Sequence, residues 1–120
     1  MKTSHTIKLE TYSCSLTLIV TDQLKVETKK VYKKHGLRGP RDAGESEGMM
    51  LSIDIDKYYL LVDVKYLSHN TIGHEVYHAV KAVTRDRSIN DEEAQAWLAG
   101  HITGRIYKFL DKKKLQVKHG

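Results

Sequence analysis

The stretch from Ile72 to Val83 constrains this chain more than any other part of it. With His74 at 0° and ~100° per residue, Ile72, Val76, Ala79, Val80 and Val83 gather in an arc of roughly 140° to 240°, while His78 falls near 40°. The pattern predicts an amphipathic helix whose valine face packs on a core and whose two histidines point away from it. Residues four apart on a helix lie ~40° apart around the axis and ~6 Å apart along it, so both imidazoles can reach one ion. Glu75 stands on the flank of that face, where a carboxylate can take a proton from an activated water without displacing a histidine.

His74-Glu75-Val76-Tyr77-His78 is therefore an H-E-x-x-H segment in a helical context. A chain with 7 histidines in 120 residues and as many glutamates would contain that pattern by chance about 2% of the time, so its surroundings have to corroborate it.

Upstream, Cys14, Leu16, Leu18 and Val20 alternate with Ser15 and Thr17, which predicts a strand over 13–20. Asp22 is a candidate N-cap and Gly36 a stop for a lysine-rich helix carrying Leu24 and Val31. Residues 37–48 contain Gly39, Pro40, Gly44 and Gly48 among charges and read as one long loop, the segment expected to be most mobile. Leu51, Ile53 and Ile55 alternate with polar residues. After a turn near Lys57, Leu60, Val62 and Val64 do the same, and the two runs predict a β-hairpin. Ser68 or Asn70 can cap the H-E-x-x-H helix, which runs to about Thr84, and a second long helix is expected from Asp91 to about Lys112. The order is β-α-β-β-α-α in a single α+β domain spanning 1–120, with 1–12 and 113–120 as flexible termini.

Composition sets limits on partners. No apolar run approaches the ~20 residues that span a bilayer, and residues 1–10 lack the apolar stretch of a signal peptide, so no membrane association is expected. Cys14 is the only cysteine, which excludes an intrachain disulfide and thiol-rich zinc sites and favours a reducing, cytoplasmic setting. The net charge of +5 resides largely in two lysine clusters, 25–34 and 108–118. Few aromatics interleave with them in sequence, so only weak, nonspecific association with nucleic acid is expected.

A catalytic zinc takes three protein ligands and keeps one open position. Carboxylates recur at Asp91, Glu92 and Glu93, where an antiparallel second helix can return one of them to the first. Glu93-Ala94-Gln95-Ala96 is an E-x-x-A segment, and with H-E-x-x-H the chain resembles a compact zincin of the gluzincin type. It is similar to short metallopeptidase-like proteins of phage and bacterial origin. The resemblance implies a minimal zincin-like fold, a small sheet packed on the active-site helix, and a zinc-dependent hydrolase of peptide bonds. Zn2+ would be held by His74, His78 and Glu93, with Glu75 as general base.

The family commonly places Asp or Asn four residues after the ligand glutamate, and here that position is Trp97. No motif fixes a group for stabilising the transition state; His101, Tyr107 and Tyr77 are candidates by position. On the second helix, Trp97, Gly100 and Gly104 fall within ~40° of Glu93, and the small residues are expected to let the two helices approach closely. Two other classes of function stay open: a non-catalytic zinc domain that acts by binding a partner protein, and a basic nucleic-acid binder.

Overall fold

The computed structural model describes residues 1–41 and 46–120; the central part of the long loop, including Gly44, lies outside the described residues. Four strands form one mixed sheet: β1 (Lys2–Leu9), β2 (Cys14–Thr21), β3 (Gly48–Asp54) and β4 (Lys57–Asp63), in the spatial order β1-β2-β4-β3. The helices are α1 (Leu24–Lys34), α2 (His69–Asp86) and α3 (Glu92–Lys112). The chain is thus α+β, as its periodicities indicate.

Period-two alternation distributes the sheet's side chains between two layers. From β2 and β4, Leu16, Leu18, Val20, Leu60 and Val62 face α2 and α3, meeting Ile72, Val76 and Val83 of α2 and Leu98, Ile102 and Ile106 of α3. The intervening Ile19 and Leu61 face the other way, joining Leu51 of β3 and Leu24 and Val31 of α1. At ~1.5–3 kcal/mol for each large aliphatic side chain buried, the α2/α3 layer supplies most of the hydrophobic stabilisation. The expected hairpin forms with Ile55 and Asp56 as its two-residue turn, and β2 pairs β4 in parallel through the α1 crossover.

The ends of the chain differ from the flexible termini expected. Residues 2–9 form an edge strand, antiparallel to β2 from Lys2 opposite Thr21 to Leu9 opposite Cys14, so the order begins β-β rather than β. Only Ile7 and Leu9 of β1 are fully buried, which is why the strand carries so little apolar signal. At the other end Leu115 and Val117 pack on the main core. Beyond them the Lys118 N–H donates to the Leu67 carbonyl at 2.9 Å, and the His69 N–H donates to the Lys118 carbonyl at 3.0 Å.

Caps set the limits of α2 and α3. Ser68 Oγ accepts from the Thr71 N–H at 3.1 Å, and the Asp91 carboxylate accepts from the Glu93 N–H at 3.0 Å. All three helices end in a Schellman arrangement. After α1 the Gly36 N–H reaches the Lys33 carbonyl and the Leu37 N–H the Tyr32 carbonyl, with Gly36 at φ 68°. After α2 and α3 the same left-handed position is held by Ser88 (φ 54°) and Lys114 (φ 57°). A Cβ there costs ~1 kcal/mol that glycine avoids, partly offset by glycine's greater freedom when unfolded. Ser88→Gly and Lys114→Gly are each expected to raise stability by up to ~1 kcal/mol in chemical denaturation, and Gly36→Ala to lower it by a similar amount.

The C-terminus of α2 is fastened to the sheet by one side chain. Arg87 Nε donates to the Tyr12 carbonyl at 2.7 Å, Nη1 to Tyr58 Oη at 3.0 Å and to the Val83 carbonyl at 3.2 Å, and Nη2 to the Ile55 carbonyl. Tyr58 in turn donates to the Asp86 carboxylate at 2.6 Å. The cluster joins the β1–β2 connection, β4, the hairpin turn and α2.

Candidate metal centre

α2 lies with its apolar stripe on the sheet, and its geometry places His74 and His78 on the outer side, as the arc of valines requires. The His74 side chain is 64% exposed. The two Nε2 atoms converge to 3.1 Å, the rings meeting edge-on with centroids 4.7 Å apart. Nitrogens at ~2.0–2.1 Å from a tetrahedral zinc stand ~3.3 Å from each other, so the pair is already close to the spacing such an ion takes. The same spacing serves a hydrogen bond from one neutral ring to the other.

Glu75 is more buried than a flanking position suggests, at 6% exposure. Its Oε2 lies 3.9 Å from His74 Nε2. Burial raises the carboxyl above its ordinary pKa, and the neighbouring His74 and His78 act in the opposite direction. The wall that buries it is β3: a Cβ on Gly48 would stand 3.1 Å from Glu75 Cγ and 3.2 Å from the Leu61 carbonyl oxygen. Glycine at the start of this edge strand therefore permits the close approach. A carboxyl held next to an imidazole pair and largely withdrawn from water is suited to accepting a proton.

His74 and Glu75 line a shallow cleft of about 240 Å³ together with Glu47, Asn70 and Thr71. Glu47 was not apparent as a site residue from the sequence, since nothing in its loop position signals it. The Thr71 hydroxyl donates to Glu47 Oε2 at 3.5 Å, which brings a second carboxylate to the cleft.

Glu93 is exposed in the first turn of α3. Among the described residues, no set of three or more His, Cys, Asp or Glu side chains is gathered as a metal site. The glycine reading is corrected: Gly100 and Gly104 are exposed, and a Cβ added to either would meet nothing within 4 Å, so they do not mediate close helix contact. α3 instead reaches α2 through pairs such as Lys81 Nζ donating to Gln95 Oε1 at 3.2 Å.

Of the three positional candidates for transition-state stabilisation, Tyr77 stands beside the pair, its ring centroid 6.0 Å from that of His78. Tyr107 Oη is engaged by His69 Nδ1 at 2.6 Å, at the start of α2. His101 stacks on Trp97 and faces the seam between α3 and β1. Sequence position alone gave these three equal standing; their partners distinguish them.

Comparison with protein-family models, with curated proteins and with solved structures finds no match. No helix among the described residues is long and apolar enough to cross a membrane.

Proposed function

We propose that the chain is a zinc-dependent hydrolase of peptide bonds with a zincin-like arrangement. The observation that carries this reading is the convergence of His74 and His78 Nε2 to 3.1 Å beside the buried Glu75 carboxyl. His74 and His78 would hold Zn2+, with Glu93 as the third ligand suggested by the E-x-x-A segment. When bound, the ion supplies Lewis-acid chemistry, polarising a scissile carbonyl and acidifying water.

The remaining work falls to the chain. Glu75, its basicity raised by burial, accepts the proton of the attacking water and returns it to the leaving amine. Gly48 and the β3 backbone wall off one side of Glu75 and limit access of bulk water. β3 stands at an edge of the sheet whereas β4 is interior, so of the two hairpin strands only β3 offers an edge to an extended peptide. Tyr77 is the candidate nearest the pair for the developing oxyanion. The reducing, cytoplasmic setting suggested by the single cysteine belongs to the same proposal.

Metal binding tests the assignment directly. Elemental analysis of purified protein is expected to give about one zinc per chain, lost in His74→Ala and in His78→Ala. Glu93→Ala is expected to weaken zinc at least tenfold in a chelator competition, while Glu92→Ala and Glu47→Ala leave it nearly unchanged. Full zinc retention in the His78 variant would remove the basis of the proposal. Loss in Glu47→Ala rather than Glu93→Ala would move the third ligand to the cleft wall.

A further inference from the structure

We infer that the seam between β1 and α3 is a binding groove for single-stranded nucleic acid. Two clefts, of about 480 and 310 Å³, share Arg105 as a common wall. The first lies at the Leu9 end of β1 with Trp97 and His101. The second lies at the Ser4 end with Phe109 and Lys112. Because β1 and α3 supply their residues in opposite order, the clefts follow one another along the helix, and Trp97 to Lys112 spans ~22 Å.

Rings and cations alternate along this line. Trp97 is 58% exposed and stacks on His101 with planes 3° apart and centroids 5.2 Å apart. One cleft further, His5 of β1 stacks on Phe109 at 5.1 Å and 12°. Between and beyond the two stacks stand Lys8, Arg105, Lys108, Lys112 and Lys113, against which the clefts set one carboxylate, Glu10. In sequence few aromatics interleave with the lysines of α3; the fold adds a ring from another element by bringing His5 of β1 alongside Phe109.

The chemistry of this line selects the occupant. A run of cations at helical spacing tracks a phosphate backbone, and the exposed Trp97 ring, with the partly exposed His101 and His5, offers faces to unstacked bases whatever their identity, Phe109 backing His5 from the core. A duplex hides its base faces, and an acidic peptide has none to offer. The groove shares no lining residue with the cleft at His74 and Glu75, so the inference stands independently of the zinc reading.

Trp97 is the chain's only tryptophan, so its emission reports on the groove without a label. Titration with a 20-nucleotide oligothymidylate at low salt is expected to quench it. Polarisation of a labelled oligomer is expected to show ~10-fold weaker binding for Trp97→Ala and near-normal binding for Trp97→Phe, which keeps a ring. The log–log salt slope should fall by ~0.7 in Arg105→Ala, the share of one phosphate contact on a single strand. Absence of quenching, equal affinity for polyglutamate, preference for the duplex, or unaltered binding by Trp97→Ala would each overturn the inference.

Discussion

Glu75→Gln is expected to reduce zinc-dependent peptide hydrolysis by at least ~10²-fold while leaving zinc content and fold intact. The amide matches the carboxyl in shape, so the contacts with Gly48 persist, but it cannot hold the water's proton. The same substitution is expected to leave the metal-free protein as stable as the parent or more so, because a neutral amide avoids the desolvation that burial imposes on the carboxylate. Fluorogenic peptide libraries, with thermal melts of chelator-treated protein, check both halves. Activity surviving in the glutamine variant would show that another group moves the proton, and the adjacent Glu47 is then the first to replace.

Arg87→Ala is expected to cost ~3 kcal/mol, a fall in Tm of roughly 10 °C for a chain of this size. Its guanidinium satisfies the carbonyls of Tyr12, Ile55 and Val83 and the Tyr58 hydroxyl together, and truncation leaves those acceptors without a donor. Burial raises Tyr58 to about 12, with its hydrogen bond to Asp86 acting in the same direction. The folded state thus keeps a proton that the unfolded state releases near pH 10. Its contribution is complete below about pH 10 and is lost as pH rises toward 12. Tyr58→Phe should remove that part of the alkaline slope, which denaturant midpoints measured across pH 9–12 would reveal.

The elements that were legible in the sequence are those whose burial pattern is strong and local. Ile72 through Val83 and Leu98 through Phe109 carry a helical stripe, and Leu16, Leu18 and Val20 an alternation, that few other conformations satisfy. β1 escaped because its pairing with β2 is a contact between segments, and four of its eight residues are exposed. The convergence of His74 with His78 follows from one helix and was readable. Which neighbours surround that helix was not. A wheel gives the angle between Glu93 and Gly100 about their own axis but says nothing of where the other helix lies, so solvent-facing glycines were assigned to an interface. The burial of Glu75 and the presence of Glu47 depend likewise on how the edge strand runs beside α2.

The unequal division of the core has a consequence for the order in which the molecule loosens. Among the described residues, α1 is held by the small cluster of Ile19, Leu24, Val31, Leu51 and Leu61, whereas α2 and α3 share a core of twenty buried residues. In native-state hydrogen exchange the amides of α1 should therefore open through a sub-global transition well below the free energy of complete unfolding, with those of α2 and α3 holding to the global limit. Such an opening would uncover the α1 side of the sheet, including Leu51 of β3, while the imidazole pair stayed fixed on its helix. The β3 wall of the cleft would then lose the packing behind it, with Gly48 still paired to Val62 and the rest of the centre already in place.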